Sequence, residues 1–298
     1  MKQTLLEQFI HDTDHLMLTG VVVLQHGEVL AQHHWEPEIL LNQYSASKSF
    51  TATAVGMAIE EGLVGLHDSV LDYFPEQAPL QPSAELEALT VEHLLTMSTG
   101  HQNALLMADS RPAMREADWV KFCLSEPFAD QPGTRFLYNN AAPYLAGMIV
   151  QKRAGCMLVD YLMPRLFEPM GVYHPTWECD PFGFTFGSGG LFYTVSNLAK
   201  FGQLYLQNGE WNGRQLISKE WVAAASSAQI ATGHRNPNSA EYGYCFWRGP
   251  HNSYRADGKY GQYSIVLPDK DAVIAINAYN RTNESILDWV WKDLYPLL

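Results

Sequence analysis

Two strand hairpins, one near each end of the chain, restrict the folds that this 298-residue sequence can adopt. Residues 20–25 and 28–35 predict two strands joined by the tight turn His26-Gly27. Residues 263–268 and 272–279 predict a second hairpin, with Asp269-Lys270 in its turn. One sheet built from both ends of the chain would hold the long middle region as an insertion.

The rest of the chain has the spacing of helices. Residues 4–18 predict an opening helix, 45–62 a helix that begins at Ser45 and ends at Gly62, and 283–295 a closing helix. Another helix follows a glycine-rich stretch after Phe184, with Ser196 or Asn197 as its N-terminal cap. Prolines break the helical segments of 63–180, which contain no run of alternating strand character: Pro75, Pro79, Pro82, Pro127 and Pro132.

These patterns predict an α/β (α+β) protein. Its antiparallel sheet is built from both chain ends and flanked by helices, and a mainly helical sub-domain is inserted into it. We expect one domain over residues 1–298, with 1–62 and 185–298 in the α/β part and 63–184 in the mainly helical part.

Charge and composition exclude some classes of partner. The 32 acidic and 19 basic residues give a formal net charge of −13, whereas nucleic acids and anionic membranes are bound by clustered Lys and Arg. No apolar run has the length of a signal peptide or a membrane span. We therefore expect a soluble cytoplasmic protein, unless a leader has been removed, with neither nucleic acid nor membrane as partner.

Ser45 and Lys48 form the S-x-x-K motif of this sequence. At the start of a helix, positions three apart lie on one face, so the hydroxyl and the amine can meet. A nucleophilic serine needs a base, and a desolvated lysine can serve as one. The motif alone leaves an equal alternative, in which Ser45 caps the helix and Lys48 is a solvated residue of its first turn.

Two further motifs follow along the chain. Tyr138-Asn139-Asn140 is the Y-x-N of this sequence, and a phenol beside an ammonium can carry a proton between a serine and a leaving group. Lys259-Tyr260-Gly261 is a K-x-G ahead of a late strand. Taken singly, Tyr138 is also explained as a packed loop residue and Lys259 as part of a strand-entry turn, and Lys200-Phe201-Gly202 matches K-x-G inside a predicted helix.

The order of the three motifs resembles the serine β-lactamase-like family, which includes penicillin-binding proteins, D-aminopeptidases, family VIII-type esterases and class C β-lactamases. The resemblance extends over most of the chain. The segments that carry it are residues 44–76, 90–103, 132–150, 187–218 and 257–276.

The resemblance implies a role for each motif residue. Ser45 would be the acylated nucleophile, Lys48 its base and Tyr138 the acid/base partner. The residues that would contact substrate are Asn140, Lys259, Gly261 and Gln262, with the backbone N–H of Gln262 as the second oxyanion donor beside that of Ser45.

One residue departs from the family pattern. Tyr260 stands where β-lactamases and penicillin-binding proteins carry a small hydroxyl residue that helps to hold the β-lactam carboxylate. We therefore expect a serine hydrolase that acts on a small ester, amide or peptide. A true β-lactamase or D,D-peptidase is the alternative, and a non-catalytic penicillin-binding-like module is a further one.

The sequence predicts no metal site and no cofactor. His11 and His15 have the i, i+4 spacing of a zinc pair, but no third ligand accompanies them, which favours a solvated helix face. No G-x-S-x-G elbow is present, which argues against an α/β-hydrolase site. The oligomeric state stays open.

Overall fold

The computed structural model describes residues 4–173 and 175–298. The α-helices are α1 Thr4–Thr13, α2 Ser47–Glu60, α3 Val70–Tyr73, α4 Ala84–Glu87, α5 Val91–Leu95, α6 Trp119–Ser125, α7 Ala141–Ala154, α8 Leu158–Leu162, α9 Val195–Leu206, α10 Lys219–Ser226 and α11 Ile286–Trp289. Short 3-10 turns lie at Asp14–Leu16, Tyr44–Ala46, Arg111–Ala113, Pro268–Lys270 and Tyr295–Leu297, and π-helical turns at Met163–Phe167 and Val290–Leu294.

The strands form one large sheet and two small ones. They are β1 Leu18–Gln25, β2 Glu28–His34, β3 Leu41–Asn42, β4 Thr176–Trp177, β5 Leu191–Tyr193, β6 Glu210–Trp211, β7 Arg214–Gln215, β8 Ile230–Ala231, β9 Glu241–Tyr242, β10 Trp247–Arg248, β11 Tyr254–Gly258, β12 Gln262–Leu267 and β13 Ala272–Ala278. The large sheet is antiparallel, in the order β2-β1-β13-β12-β11-β10-β9-β8.

The two terminal hairpins meet in this sheet, as the sequence predicts. β1 pairs with β13 along its length, with Val21 opposite Ile276 and Val23 opposite Ile274. His26 and Gly27 join β1 to β2 with φ values of 52° and 78°, and two positive φ angles are what a tight hairpin turn between right-twisted strands requires.

Each face of the sheet buries its own apolar cluster. On one face, α1 and the C-terminal helical turns cover Val21, Ile274 and Ile276, with Phe9 fully buried. On the other face, α2, α7 and α9 pack into a larger cluster that also takes in the helical region. This second face positions α2, and with it the S-x-x-K motif.

Several local expectations differ from the structure. The N-cap of α9 is Thr194, whose Oγ1 accepts from the Asn197 N–H at 3.2 Å, and not Ser196 or Asn197. Thr194 has the extended backbone that an N-cap residue needs, whereas Ser196 and Asn197 already lie within the helix.

Two further differences concern secondary structure. β4 lies inside the stretch 63–180, which was expected to lack strands, and the closing helix is a short α11 followed by a π turn and a 3-10 turn. None of the helices in the described ranges is both long and apolar enough to cross a membrane.

Candidate active site

Ser45 lies in a 3-10 turn that leads directly into α2, rather than at the first residue of the α-helix itself. Tyr44, just before it, has a left-handed φ of 45°, and its N–H donates to Asn42 Oδ1 at 2.7 Å. The N–H of Ser45 donates to no protein acceptor in the described part of the chain. Ser45 therefore presents a hydroxyl and a free N–H at the positive end of a 14-residue helix.

Lys48 lies in the first turn of α2, three residues after Ser45, and is 1% exposed. Its Nζ is 3.0 Å from Ser45 Oγ, 2.7 Å from Asn140 Oδ1 and 2.5 Å from the Ser188 carbonyl oxygen. Within residues 4–173 and 175–298, no carboxylate pairs with this amine. Burial lowers the pKa of Lys48 to about 7, and the positive charge of Arg111 acts in the same direction.

Asn140 is fixed by the loop beside it. Its Nδ2 donates to the Leu106 carbonyl at 2.9 Å, which turns Oδ1 towards Lys48. Its backbone N–H donates to the Leu105 carbonyl, so both ends of the residue are tied to the same segment. Asn139 Oδ1 accepts from the Ala142 N–H in the first turn of α7, while the Asn140 side chain lines the cleft.

Tyr138 lies over the amine. Lys48 Nζ is 5.1 Å from the centroid of its ring, and the ring stacks on Trp247 at 5.5 Å with an angle of 23° between planes. Burial raises the pKa of Tyr138 above its usual range, while a hydrogen bond with Ser45 partly opposes the rise. The phenol is therefore protonated and within reach of Ser45.

The third motif is only partly at the cleft. Lys259 and Tyr260 lie in the β11–β12 turn and line the cleft, whereas Gly261 and Gln262 do not line it. Gln262 begins β12, which is flanked by β11 and β13, and its Nε2 donates to the carbonyls of Lys259 and Ala278. Gly261 and Gln262 are therefore not among the residues that line the cleft, and their contact with substrate stays a prediction.

The strand that packs most closely on the turn carrying Ser45 is β11. At Gly258, a Cβ atom would lie far inside van der Waals contact with the Gln43 carbonyl oxygen, so this glycine permits the close approach. Arg255 and Asp257 on the same strand line the cleft, and Arg255 holds Asp257 Oδ2 through Nε at 2.8 Å and Nη2 at 2.7 Å. Burial raises the pKa of Asp257, and the Arg255 charge opposes that rise.

Together these segments enclose a cleft of about 820 Å³. Several residues that line this cleft were not predicted from the sequence, because the segments that carry them are far apart along the chain and meet only in the fold. They are Arg111, Glu178, Ser188, His234, Arg255, Asp257 and Arg281. Of these residues, Ser188 lies in a glycine-rich stretch that is visible in the sequence. In the structure, Gly187 and Gly190 of that stretch adopt left-handed φ values of 70° and 82°.

The two histidines with the spacing of a zinc pair do not line the cleft. His11 is bonded to Asp12 and His15 to Glu284, and no group of three potential metal ligands occurs among the described residues. Lys200 and Gly202 lie within α9, as expected for the second K-x-G match.

Comparisons with known proteins identify the family and several similar proteins. A family model described as Beta-lactamase matches residues 16–285. The 6-aminohexanoate-dimer hydrolase of Paenarthrobacter ureafaciens is 27% identical over 236 residues, 73% of this chain and 58% of the hydrolase. The lovastatin esterase of Penicillium rubens is 26% identical over 176 residues, 52% of this chain and 43% of the esterase.

The fold is shared with solved structures. The octameric penicillin-binding protein homologue from Pyrococcus abyssi superposes with a TM-score of 0.80 at 23% identity, over 100% of this chain and 77% of the homologue. The chain spans about half the length of the two curated relatives above, with 58% and 43% of their residues matched.

Proposed function

Because this chain belongs to the Beta-lactamase family, whose members similar to it include hydrolases and an esterase, we propose that it is a serine hydrolase that forms an acyl-enzyme on Ser45 and hydrolyses a small ester or amide. One observation carries the proposal. The buried Lys48 amine lies 3.0 Å from Ser45 Oγ and has no carboxylate to keep it protonated among the described residues.

The surroundings of Lys48 favour a base. The Ser188 carbonyl can only accept, and Asn140 Oδ1 is an acceptor because its Nδ2 is held by Leu106. A neutral amine has two hydrogens and one lone pair. When the two hydrogens go to Ser188 and Asn140, the lone pair is left for the Ser45 hydroxyl.

Acylation follows from this arrangement. Lys48 takes the Ser45 proton as Oγ attacks the substrate carbonyl, and the Ser45 N–H stabilises the oxyanion. A second N–H donor would come from β11, since β11 is the strand beside the nucleophile. Tyr138, which is protonated, gives its proton to the leaving group and recovers one from Lys48.

Deacylation reverses the roles. Water enters the position of the leaving group, and Tyr138 with Lys48 takes its proton as it attacks the acyl carbon. Ser45 leaves with the proton returned through Lys48, and the free acid is released. This cycle needs neither metal nor cofactor from outside the chain.

Tyr260 supports an ester or amide over a β-lactam. Its ring stands in the cleft, edge-on to Tyr44 at 5.2 Å, where the family resemblance puts a small hydroxyl residue. A β-lactamase or D,D-peptidase activity and a purely binding role stay alternatives. The rates at which the protein hydrolyses a chromogenic cephalosporin and a short-chain nitrophenyl ester test the first alternative. Faster turnover of the cephalosporin would favour a β-lactamase over an esterase or amidase.

Active-site labelling tests the proposal itself. A fluorophosphonate should modify the protein on Ser45, as located by mass spectrometry of its peptides. The Ser45→Ala variant should remain unlabelled, while Ser227→Ala, which removes an exposed serine on a different surface, should label like the wild type. Labelling of Ser45→Ala to the wild-type extent would exclude Ser45 as the nucleophile.

A further inference from the structure

Three aromatic rings lie in a row along one side of the cleft. The Tyr138 ring stacks on Trp247 at 5.5 Å, and the imidazole of His234 stacks on Trp247 at 6.0 Å, with angles of 23° and 22° between the planes. The three residues come from separate segments, namely the loop before α7, β10 and the loop between β8 and β9, and all of them line the cleft. We call Tyr138, Trp247 and His234 the aromatic row.

Two further rings hold the aromatic row in place. Phe136 meets Trp247 edge-on at 5.7 Å and His234 edge-on at 6.1 Å. Tyr242, which is buried, meets Trp247 edge-on at 4.8 Å. Trp247 is nevertheless only half-buried, and His234 is exposed. The rings of the row are therefore fixed in orientation while part of their surface stays open to the cleft.

The loop that carries His234, residues 232–240, is anchored at Asn238. Arg255 Nη1 donates to the Asn238 carbonyl oxygen and Trp291 Nε1 donates to Asn238 Oδ1, both at 2.7 Å. Asn238 is buried by these contacts, although the loop runs over the surface. Because Arg255 belongs to β11, the imidazole of His234 has a fixed place relative to the strand that borders the site.

The aromatic row begins at the residue that serves the leaving group. In the proposed mechanism, Tyr138 gives its proton to the leaving group, and a hydrogen bond with Ser45 holds its hydroxyl beside the reacting atoms. Trp247 stacks on the Tyr138 ring, and His234 stacks on Trp247 in turn. A leaving group that takes the Tyr138 proton would therefore lie beside Trp247 and extend towards His234.

We propose that the leaving group of the substrate carries an aromatic ring, and that this ring packs against Trp247 and His234. The inference rests on the proposed function and gives it a substrate class, an aryl or arylmethyl ester or amide. Aromatic rings gain from offset-stacked and edge-on contacts beyond the area that they bury, and a saturated ring of the same size does not obtain this gain.

Esters with matched rings test the proposal. Benzyl butanoate and cyclohexylmethyl butanoate share their acyl group and differ in whether the six-membered ring of the leaving group is aromatic. The cyclohexyl ring offers at least as much apolar area, so burial alone does not favour the benzyl ester. After division by the rates of hydroxide-catalysed hydrolysis, we expect kcat/KM to favour the benzyl ester by about tenfold.

A second pair of esters tests on which side of the scissile bond the ring is bound. Ethyl phenylacetate and ethyl cyclohexylacetate carry the same two rings on the acyl side. We expect nearly equal kcat/KM values for them after the same correction. A preference for the aromatic ring that is as large in this pair as in the first would overturn the assignment, as would equal values for the two butanoates.

Variants tie the preference to the aromatic row. Trp247→Phe keeps a ring and should keep the preference, whereas Trp247→Leu should lose it. His234→Ala, at an exposed position, should fold normally and reduce the preference severalfold. His11→Ala is the matched control, since it removes an exposed histidine on α1, and should behave like the wild type. A preference of wild-type size in His234→Ala, and in Trp247→Leu where that variant folds, would overturn the proposal.

A binding measurement without turnover separates this inference from the proposed function. N-benzylbutanamide should bind the Ser45→Ala protein about tenfold more tightly than N-(cyclohexylmethyl)butanamide by calorimetry. The difference should shrink severalfold when His234→Ala is added. If no ester is hydrolysed but this difference is found, the proposed function fails and the aromatic subsite stands; if esters are hydrolysed but neither readout prefers the aromatic ring, the aromatic subsite fails alone.

Discussion

Single residues decide the protonation states on which the proposed chemistry depends. Lys48 has been removed from water without receiving a counter-charge, so its ammonium form has lost solvation that nothing replaces. Tyr138, which is half-buried beside it, keeps its proton for the same reason. In the proposed mechanism, the pair thus offers a base and an acid at neutral pH, as acyl transfer needs.

The first prediction concerns pH. A lysine acts as base only when neutral, and burial brings the pKa of Lys48 down to about 7. We expect kcat/KM for a neutral ester to rise with pH through an inflection near that value and to level off above it. A profile that is flat from mildly acidic to alkaline pH, or that rises only near the ordinary lysine value, would contradict the role of Lys48.

The second prediction concerns Tyr138. Replacing it by Phe removes the proton donor and keeps the ring that stacks on Trp247. We expect kcat to fall about 100-fold for an alkyl ester, whose leaving group needs a proton, and much less for a nitrophenyl ester, whose leaving group does not. Equal losses for the two esters would show that the phenol acts through structure rather than as an acid.

At the level of secondary structure, the site depends on how closely β11 approaches the 3-10 turn that carries Ser45. That approach is possible because Gly258 has no side chain where the Gln43 carbonyl passes. The sequence carries this information only in part. A glycine in a strand indicates close backbone contact but does not reveal with which segment.

The third prediction follows from that contact. Gly258→Ala should push β11 away from the nucleophile and lower kcat/KM at least about tenfold, because small displacements of reacting groups are costly. Gly147→Ala is the matched control, since a Cβ at this α7 position meets only ordinary contacts and alanine favours a helix. Wild-type kinetics in Gly258→Ala would show that β11 does not set the geometry of the site.

At the scale of the whole molecule, the sheet separates a face that is covered by helices alone from the face beyond which the candidate site lies. α1 and the C-terminal turns cover one face, and the cleft lies beyond the other, at the edge of β11. Residues distant in the chain meet there: the 3-10 turn at 44–46, the loop before α7, the glycine-rich stretch at 187–190 and the β11–β12 turn.

The fourth prediction uses this separation. Phe9 is fully buried against the face that does not carry the site. Phe9→Ala should reduce the free energy of unfolding by about 3 kcal/mol in chemical denaturation, because it leaves a cavity. The kcat of the folded protein should stay near the wild-type value. A large loss of kcat in the fully folded variant would mean that packing on this face of the sheet affects the site on the other face.

The sequence was sufficient for the parts of the fold with strong periodicity and for the residues of its first two motifs. Both terminal hairpins, α2 and α9 were predicted, and Ser45, Lys48, Tyr138 and Asn140 do converge. The two-residue strands β8, β9 and β10 were not predicted, since they are too short to show alternation. Arg255 and Asp257 on β11 line the cleft and were not predicted, because a K-x-G match does not tell whether the strand before it or the strand after it borders Ser45.

The central claim is that Ser45 becomes covalently acylated during turnover. Rapid acid quenching of the protein during turnover of 4-nitrophenyl hexanoate, followed by peptide mass spectrometry, measures this directly. We expect the mass of one hexanoyl group on the peptide that contains Ser45, lost again when the ester is exhausted, and none in Ser45→Ala. Steady hydrolysis by the wild type without an adduct on Ser45, or undiminished hydrolysis by Ser45→Ala, would contradict the account.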